Sequence, residues 1–436
     1  MEAVNNPGVG RQRWLIVLPA VFIMYTLSFF DRANIAMALP YITKDLNLTS
    51  IEAGWIGGVF AWGYAVTQIG AGYLALRFHS RQLIGICLIL FGGAAMLTGF
   101  ATTFWELVAI RFLLGLAEGP IYATTSMFLA QWFMKPERGR AFGIWNLSVP
   151  AGAFLAGPIS GAILTHYDWR VMMVVEALPA WIFCVVWFLA IPKSLQAAKW
   201  LSPADRDVIQ SNLATEQASH RKSETDPWWT ILSEPALWFL TLGFGLNNVL
   251  LYGATLWLPT VMKSYGELSE VMIGFFSGAP FVMSMFGIFY ITNRSDKHGQ
   301  ERRLHAAVPT ILTGLSMIAA AFVPASLFYL QIALFMAVGF TLKMLTPLVA
   351  ARVMEILPMR KAVPAVAIVI GVGNLIGQFS GPLIVGYLKS ISPDFALSLG
   401  ALGVSAIIGG LLILAAKTKE ERVRQRDALH EQPARI

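Results

Sequence analysis

The run WLIVLPAVFIMYTLSFFDRANIAMAL, Trp14 to Leu39, decides the fold. It is long enough to cross a bilayer, which takes roughly 20 mostly apolar residues, yet Asp31 and Arg32 stand side by side inside it. A charge at the bilayer centre costs roughly 2.5 to 3.5 kcal/mol on insertion scales, so such residues pair or line a watery path. Two more apolar stretches repeat the pattern: Arg111 and Glu118 lie in one, Lys343 in another.

Similar runs recur along the chain: Trp55 to Leu76, Leu83 to Phe104, Leu107 to Phe133, Ala141 to Thr165 and Val171 to Ile191. After a polar interval come Ala236 to Val261, Ile273 to Thr292, Ala306 to Val323, Leu327 to Ala350, Val363 to Leu388 and Phe395 to Ala416. Of the 436 residues 56% are hydrophobic and only 13% charged, against about 25% charged in soluble domains. The expected fold is an all-α membrane protein of about twelve transmembrane helices.

The net charge of +7 reports topology rather than nucleic-acid binding, because its basic residues cluster in alternate connections. One set holds Arg11 and Arg13, Arg77 and Arg81, then Lys135, Arg138 and Arg140. In the second half the same set holds Arg294, Lys297, Arg302 and Arg303, then Arg360 and Lys361. The other set holds little beyond Lys44, Arg170, Lys263 and Lys389. The positive-inside rule then predicts both termini in the cytoplasm. A cleavable signal is disfavoured because Asp31 and Arg32 interrupt the apolar region it needs. Cys87 and Cys184 both fall in spans and read as small apolar packers, with no disulfide or metal framework implied.

The polar interval Pro192 to Glu234 divides the spans six and six, which predicts a bundle over 1–191, a cytoplasmic linker over 192–234, a second bundle over 235–416 and a tail over 417–436. The tail and the residues before Arg11 are expected to be disordered. The halves resemble each other. Leu39, Pro40 and Lys44 match Leu258, Pro259 and Lys263, and Gly54 matches Gly274, at an offset of about 220 residues, as a duplicated bundle requires. Gly157, Pro158 and Gly161 likewise match Gly381, Pro382 and Gly386. Parallel six-helix repeats with a site near mid-membrane characterise one large transporter class.

Arg111 and Glu118 are two helical turns apart, so they share a face at a separation of roughly 10 Å. Gly115 and Gly119 on that face leave room for a ligand or for a close helix neighbour. An ion pair to another helix is the structural alternative to a functional role. Asp31 and Arg32 are adjacent, so their side chains diverge by about 100° and serve different partners. Arg32 and Arg111 offer planar forks suited to a carboxylate, and Asp31 and Glu118 are the candidate proton carriers. Tyr64 and Asn374 can hydrogen-bond a substrate or a neighbouring helix, as can Asn247, Asn248, Tyr252 and Gln378. Lys343 either meets a second carboxylate or snorkels to the interface. Glu176, Arg352 and Glu355 read as structural.

Several motifs together resemble the major facilitator superfamily and its anion:cation symporter family. They are Phe30-Asp31-Arg32-Ala33-Asn34, Arg111-Phe112-Leu113-Leu114-Gly115 with Glu118-Gly119-Pro120, and Trp257-Leu258-Pro259-Thr260. To these add Ser295 through Arg303 and Gly373-Asn374-Leu375-Ile376-Gly377. The resemblance implies two pseudo-symmetric six-helix bundles in a bacterial inner membrane, a monomer, and transport of sugar acids, tartrate or aromatic acids with protons. It implies proton coupling by Asp31 and Glu118 and substrate contacts by Arg32, Tyr64, Arg111 and Asn374. It also implies a conformational latch from Arg77, Arg81, Asp296 and Arg302. Two departures stand out. Galactonate-type members have a tyrosine where this chain has Phe29, and in the loop after the second helix Leu76 replaces the motif aspartate and His79 a glycine. The latch is therefore expected to be lopsided.

The leading expectation is a proton-coupled importer of a small organic anion, with no cofactor beyond protons. An antiporter or exporter is the alternative, since the Gly152, Gly157-Pro158, Gly161 pattern is reminiscent of antiporters, although a packing helix explains it too. A non-transporting sensor ranks lower, because the linker and tails are short for an output domain. No nucleophile elbow or phosphate loop appears in the sequence, so an enzyme is not expected.

Overall fold

The structure, a computed structural model, describes residues 10–220, 228–266, 268–297, 302–357, 359–392 and 394–416. The tail expected to be disordered and the residues before Gly10 lie outside them. Among the described residues every regular element is a helix. The first half runs α1 (Arg11–Asp45), α2 (Ser50–Gly58), α3 (Phe60–Arg77), α4 (Ser80–Thr98), α5 (Phe104–Trp132), α6 (Lys135–Asn146), α7 (Ser148–Leu164) and α8 (Trp169–Ala190). A polar helix, α9 (Pro203–His220), follows. The second half runs α10 (Pro235–Lys263), α11 (Glu270–Lys297), α12 (Arg303–Phe322), α13 (Phe328–Leu342), α14 (Leu345–Ile356), α15 (Met359–Ile391) and α16 (Ala396–Ala415).

Among the described residues eleven helical stretches are long and apolar enough to cross a membrane, with α6–α7 and α13–α14 each counted as one. α2 and α3 supply the twelfth, running end to end through Val59, whose φ of -61 and ψ of -27 are still helical. The fold is that of a polytopic helical membrane protein. By contact the chain falls into two compact units, Met1–Glu224 with Thr255–Val282, and Thr225–Ala254 with Met283–Ile436, so α10 and α11 are each shared between units.

In the first unit α1 is fastened at both ends. At its start the buried Arg13 donates to Glu137 of α6 at 3.0 Å and to the Trp132 carbonyl at 2.6 Å. At its far end Asp45 pairs with Arg170 and accepts from the Trp169 indole N–H at 3.2 Å. Capping boxes start α2 (Thr49 with Glu52) and α5 (Thr103 with Glu106), satisfying N–H groups that a helix start leaves open. Between these ends, glycines let helices touch by their backbones. A Cβ on Gly63 of α3 would stand 2.1 Å from the Phe112 carbonyl oxygen, and one on Gly115 of α5 would stand 2.3 Å from that of Phe60. The room beside Gly115 and Gly119 is thus filled by α3. Gly152 of α7 lies against the Thr26 carbonyl of α1, and Gly157 against the Gly274 carbonyl of α11, which accounts for that glycine series as packing surface.

The second unit repeats these pairings. As α7 meets α1, α15 meets α10: a Cβ on Gly377 would fall 2.2 Å from the Asn248 Cβ, and one on Gly381 would fall 2.4 Å from the Val249 carbonyl. As α4 meets α8, where Gly92 faces Ala180 and Trp181, α12 meets α16, where Gly314 and Gly403 face each other's carbonyls. Cys87 and Cys184 are buried free thiols.

Backbone contact of this kind cannot absorb a side chain, and overpacking costs about 1–3 kcal/mol or more. Gly115→Leu is therefore expected to lower the melting temperature in detergent sharply. Gly93→Ala, whose Cβ would come no closer than 3.8 Å to Trp181, should leave it unchanged. Equal melting temperatures for both would show that α3 and α5 are not held by this crossing.

Candidate functional site

The α1–α5 interface carries the charges. Glu118, fully buried, accepts from Arg32 Nε at 2.5 Å and from Ser28 Oγ at 2.8 Å, both through Oε2. Its second oxygen, Oε1, is buried without a hydrogen-bond partner, and so is Nη2 of Arg32. The pair is bound together yet incompletely satisfied, with an acceptor and a donor still on offer.

Aromatic faces surround the Arg32 guanidinium, with Phe29, Phe60 and Tyr64 ring centroids at 4.7, 5.1 and 4.6 Å. Rings at this distance attract a cation by their quadrupoles and exclude water without cancelling its charge. Tyr25, Tyr122 and Trp145 extend the aromatic wall, Tyr25 lying 5.1 Å from Trp145 and Tyr122 stacked on it at 4.9 Å. Tyr64 reaches the cluster because Gly115 and Gly119 admit α3 this closely.

Arg111 is 4% exposed. Its hydrogen bond is a long one, Nε to the Ile56 carbonyl at 3.4 Å, and its guanidinium stands 5.3 Å from the Phe60 ring. Among the described residues no carboxylate lies within ion-pair distance of it. A guanidinium has five N–H donors and stays charged under all ordinary conditions, so Arg111 is a buried cation with unused donors. Arg111 and Glu118 occupy one face of α5, but it is Arg32 that takes Glu118.

Asp31 is buried on the neighbouring face of α1, turned away from the Arg32–Glu118 contact as adjacent helical residues must be. On that side stands a second carboxyl group. Glu176 of α8, 5% exposed, accepts from Ser160 Oγ of α7 at 2.7 Å and has Asn34 of α1 as a further hydrogen-bond neighbour. Its Oε2 has no partner. The sequence reading set Glu176 aside as structural because it lies near the start of its span; its acidity within an apolar run was the available signal. Ser28, three residues before Asp31, had no sequence signal beyond being polar.

The polar residues of the second unit form their own group. Asn248 of α10 donates to Asn374 Oδ1 of α15 at 2.9 Å, and Asn247 donates to the Leu342 carbonyl at 3.4 Å while its own Oδ1 is buried without a partner. Lys343 follows Leu342 where α13 stops, and is half-buried rather than inside a continuous helix. Gln378 is buried one turn beyond Asn374, and Tyr252 is half-buried one turn beyond Asn248.

Of the four residues expected to form a latch, the side chains of Arg77 and Asp296 lie outside the described residues. Arg81 donates to the Ile191 and Phe188 carbonyls at 2.5 and 2.6 Å. Arg302 meets Glu355 at 3.2 Å and Ser295 at 2.9 Å. Both bonds stay within their own unit, and they give Glu355 a partner on another helix.

The sequence matches the Major Facilitator Superfamily pattern over residues 21–314 and again over 267–435. It is 28% identical over 410 residues to a putative tartrate transporter of Agrobacterium vitis, covering 92% of this chain and 93% of that one. It is 26% identical over 412 residues to a quinolone resistance transporter of Acinetobacter baumannii, covering 93% and 94%. Other relatives at 25–26% identity bear the names of galactonate, hexuronate and galactarate/D-glucarate transporters. The crystal structure of a D-xylose-proton symporter superposes with a TM-score of 0.71 at 17% identity, covering 92% of this chain and 99% of that one.

Removing one partner of a buried ion pair typically costs about 3–5 kcal/mol, since the other charge is left uncompensated. Arg32→Ala is expected to destabilise the detergent-solubilised protein by that order. Adding Glu118→Gln should restore much of the loss by removing the stranded carboxylate. A double variant that melts no higher than Arg32→Ala alone would refute this account of the pair.

Proposed function

The chain belongs to the Major Facilitator Superfamily, and from that premise we propose that it imports a small organic anion by proton symport through alternating access. Transport is the role its relatives share. The observation that carries the finer reading is Arg111, a buried guanidinium with unused donors, beside an Arg32–Glu118 pair that is itself short of partners. A carboxylate entering there would meet two planar forks, the geometry in which arginine binds carboxylates best.

Charge balance supplies the coupling. Counting Asp31, Arg32, Arg111 and Glu118, with both carboxyls ionised, the cluster is neutral and offers an anion little net attraction, and an ionised Glu176 beside Asp31 would lower it further. One proton on either carboxyl leaves a net positive charge suited to a monoanion, and a second proton suits a dianion. Proton and anion thus stabilise each other, and loss of the proton on the opposite side favours release. The relatives named for tartrate and sugar acids support the substrate class. Phe29 stacks on Arg32 where galactonate-type members have a tyrosine, which favours an acid with fewer hydroxyls or with a ring. In this reading the protein lies in a bacterial inner membrane with both termini in the cytoplasm.

The similarity to a quinolone resistance transporter favours a second reading, export of an aromatic acid, which the wall of Tyr25, Tyr122 and Trp145 would also suit. The direction of proton-driven flux separates the two.

Proteoliposomes under an inward proton gradient, offered labelled tartrate, sugar acids and aromatic acids, test the proposal. One class should accumulate. Losing charge-assisted hydrogen bonds at Arg111 should weaken its uptake by roughly 10- to 100-fold in Arg111→Ala. Glu118→Gln should abolish pH-driven accumulation while retaining exchange of labelled substrate. Accumulation unaffected by Glu118→Gln would defeat the assignment of proton coupling to that residue, and flux outward against the same gradient would favour export.

A further inference from the structure

A second anion-binding feature lies in the first unit, among residues to which the transport reading gives no substrate role. Where α3 hands over to α4, a cavity of about 850 Å³ opens between the α3–α4 turn, the end of α5, the segment after α8 and one side of α9. Its lining includes His79, Arg81, Arg138 and Lys193, and among the described residues it includes no aspartate or glutamate. Of these, Arg81 and Lys193 meet no carboxylate among the described residues, and like charges gathered so repel each other and are stabilised by an anion.

Three further observations define what that anion meets. Ser80, at the first position of α4, is 3% exposed and lines the cavity, yet its hydroxyl has no hydrogen-bond partner. A buried hydroxyl left unmade costs about 1–3 kcal/mol, and a ligand oxygen would relieve it. α4 begins with no side-chain cap, since its N-cap residue is His79. The open N–H groups and positive dipole end of this helix therefore face the same turn. Arg81 is held in place by two neutral carbonyl acceptors, Ile191 and Phe188, so its orientation is fixed while its charge is not neutralised.

Converging N–H groups at a helix start, a hydroxyl and cations on several sides suit a tetrahedral oxyanion better than a planar carboxylate, which a single guanidinium fork would hold. We infer that this cavity binds an anionic phosphate group, held by the α4 N-terminus, the Ser80 hydroxyl and the cationic side chains of Arg81 and Lys193. Two sources share that chemistry: the headgroup of an anionic phospholipid and a free phosphate compound.

The test uses the purified full-length protein in neutral detergent. It is titrated calorimetrically with dihexanoyl-phosphatidylglycerol, with inorganic phosphate, and with dihexanoyl-phosphatidylcholine as a zwitterionic control. Saturable binding of an anionic probe is expected, weakened about tenfold or more in Lys193→Glu and in Ser80→Ala. Lys193 is exposed and the Ser80 hydroxyl bonds to nothing, so both variants should melt like the parent without ligand. Binding of the glycerol lipid alone assigns a lipid headgroup, binding of phosphate alone assigns a soluble compound, and binding of both assigns the phosphate group itself. No saturable binding of either anionic probe would overturn the inference. So would equal binding of the phosphatidylcholine, or affinities unchanged in both variants.

Discussion

A carboxylate in hydrocarbon has to be met by a cation or give up its charge by taking a proton, and the meeting of Glu118 with Arg32 sets the terms for the rest of the first unit. Desolvating the two charges is costly, and the attraction repays it only in good geometry with further hydrogen bonds. Ser28 supplies one such bond from the same helix as Arg32. The contact fixes the rotation of α1 against α5, and the fastenings at Arg13 and Asp45 fix its length against the rest of the bundle. Because Arg32 is committed to Glu118, Arg111 is left without a carboxylate in contact, and its unused donors give the cluster its capacity for an added anion.

Much of the fold was legible because a bilayer allows few solutions. Apolar runs of spanning length with basic residues in alternate connections mean helices, and the repeated Leu-Pro and Gly-Pro pairs announced a duplication that reappears as matching helix pairings in each unit. The interruptions were read through as continuous spans, although their breakers stand in the sequence. Val59, Leu147 and the Lys343–Met344 step carry neither glycine nor proline, and Val59 and Leu147 stay close to helical dihedrals. The signals lie just outside these positions: Gly57 and Gly58 precede Val59, and Pro150 and Pro347 deny an N–H to the carbonyls of Asn146 and Lys343, four residues back.

The candidate site was legible residue by residue but not in its pairings. Spacing alone put Arg111 and Glu118 on one face of α5, and adjacency alone sent Asp31 and Arg32 to different partners. Which arginine takes Glu118 depends on how α1 is rotated, a property of the assembled bundle. Gly115 and Gly119 could admit a ligand or a helix; α3 occupies that space and brings Tyr64 with it. Glu176 was discounted by its distance from mid-span, yet the contacts of α7 and α1 close over it, so depth along the helix axis proved a poor guide to burial.

The two units share helix pairings but not polar chemistry. The first buries a carboxylate against a guanidinium, whereas the second keeps its Arg302–Glu355 contact partly exposed at a helix end and pairs amides inside, Asn248 with Asn374 and Asn247 with a backbone carbonyl. Amides donate and accept alike at any ordinary pH, so their hydrogen bonds can select a substrate without responding to protons. A proton-sensitive element has to act on the anion's own partners at short range. Two unit charges about 4 Å apart interact by about 4 kcal/mol at an effective dielectric of 20, which corresponds to roughly a thousandfold in affinity. Glu118 lies within hydrogen-bonding distance of the guanidinium proposed to hold the anion. In the proposed mechanism a single proton arriving there changes the affinity by orders of magnitude, and for that reason the proposal assigns coupling to the buried Arg32–Glu118 pair.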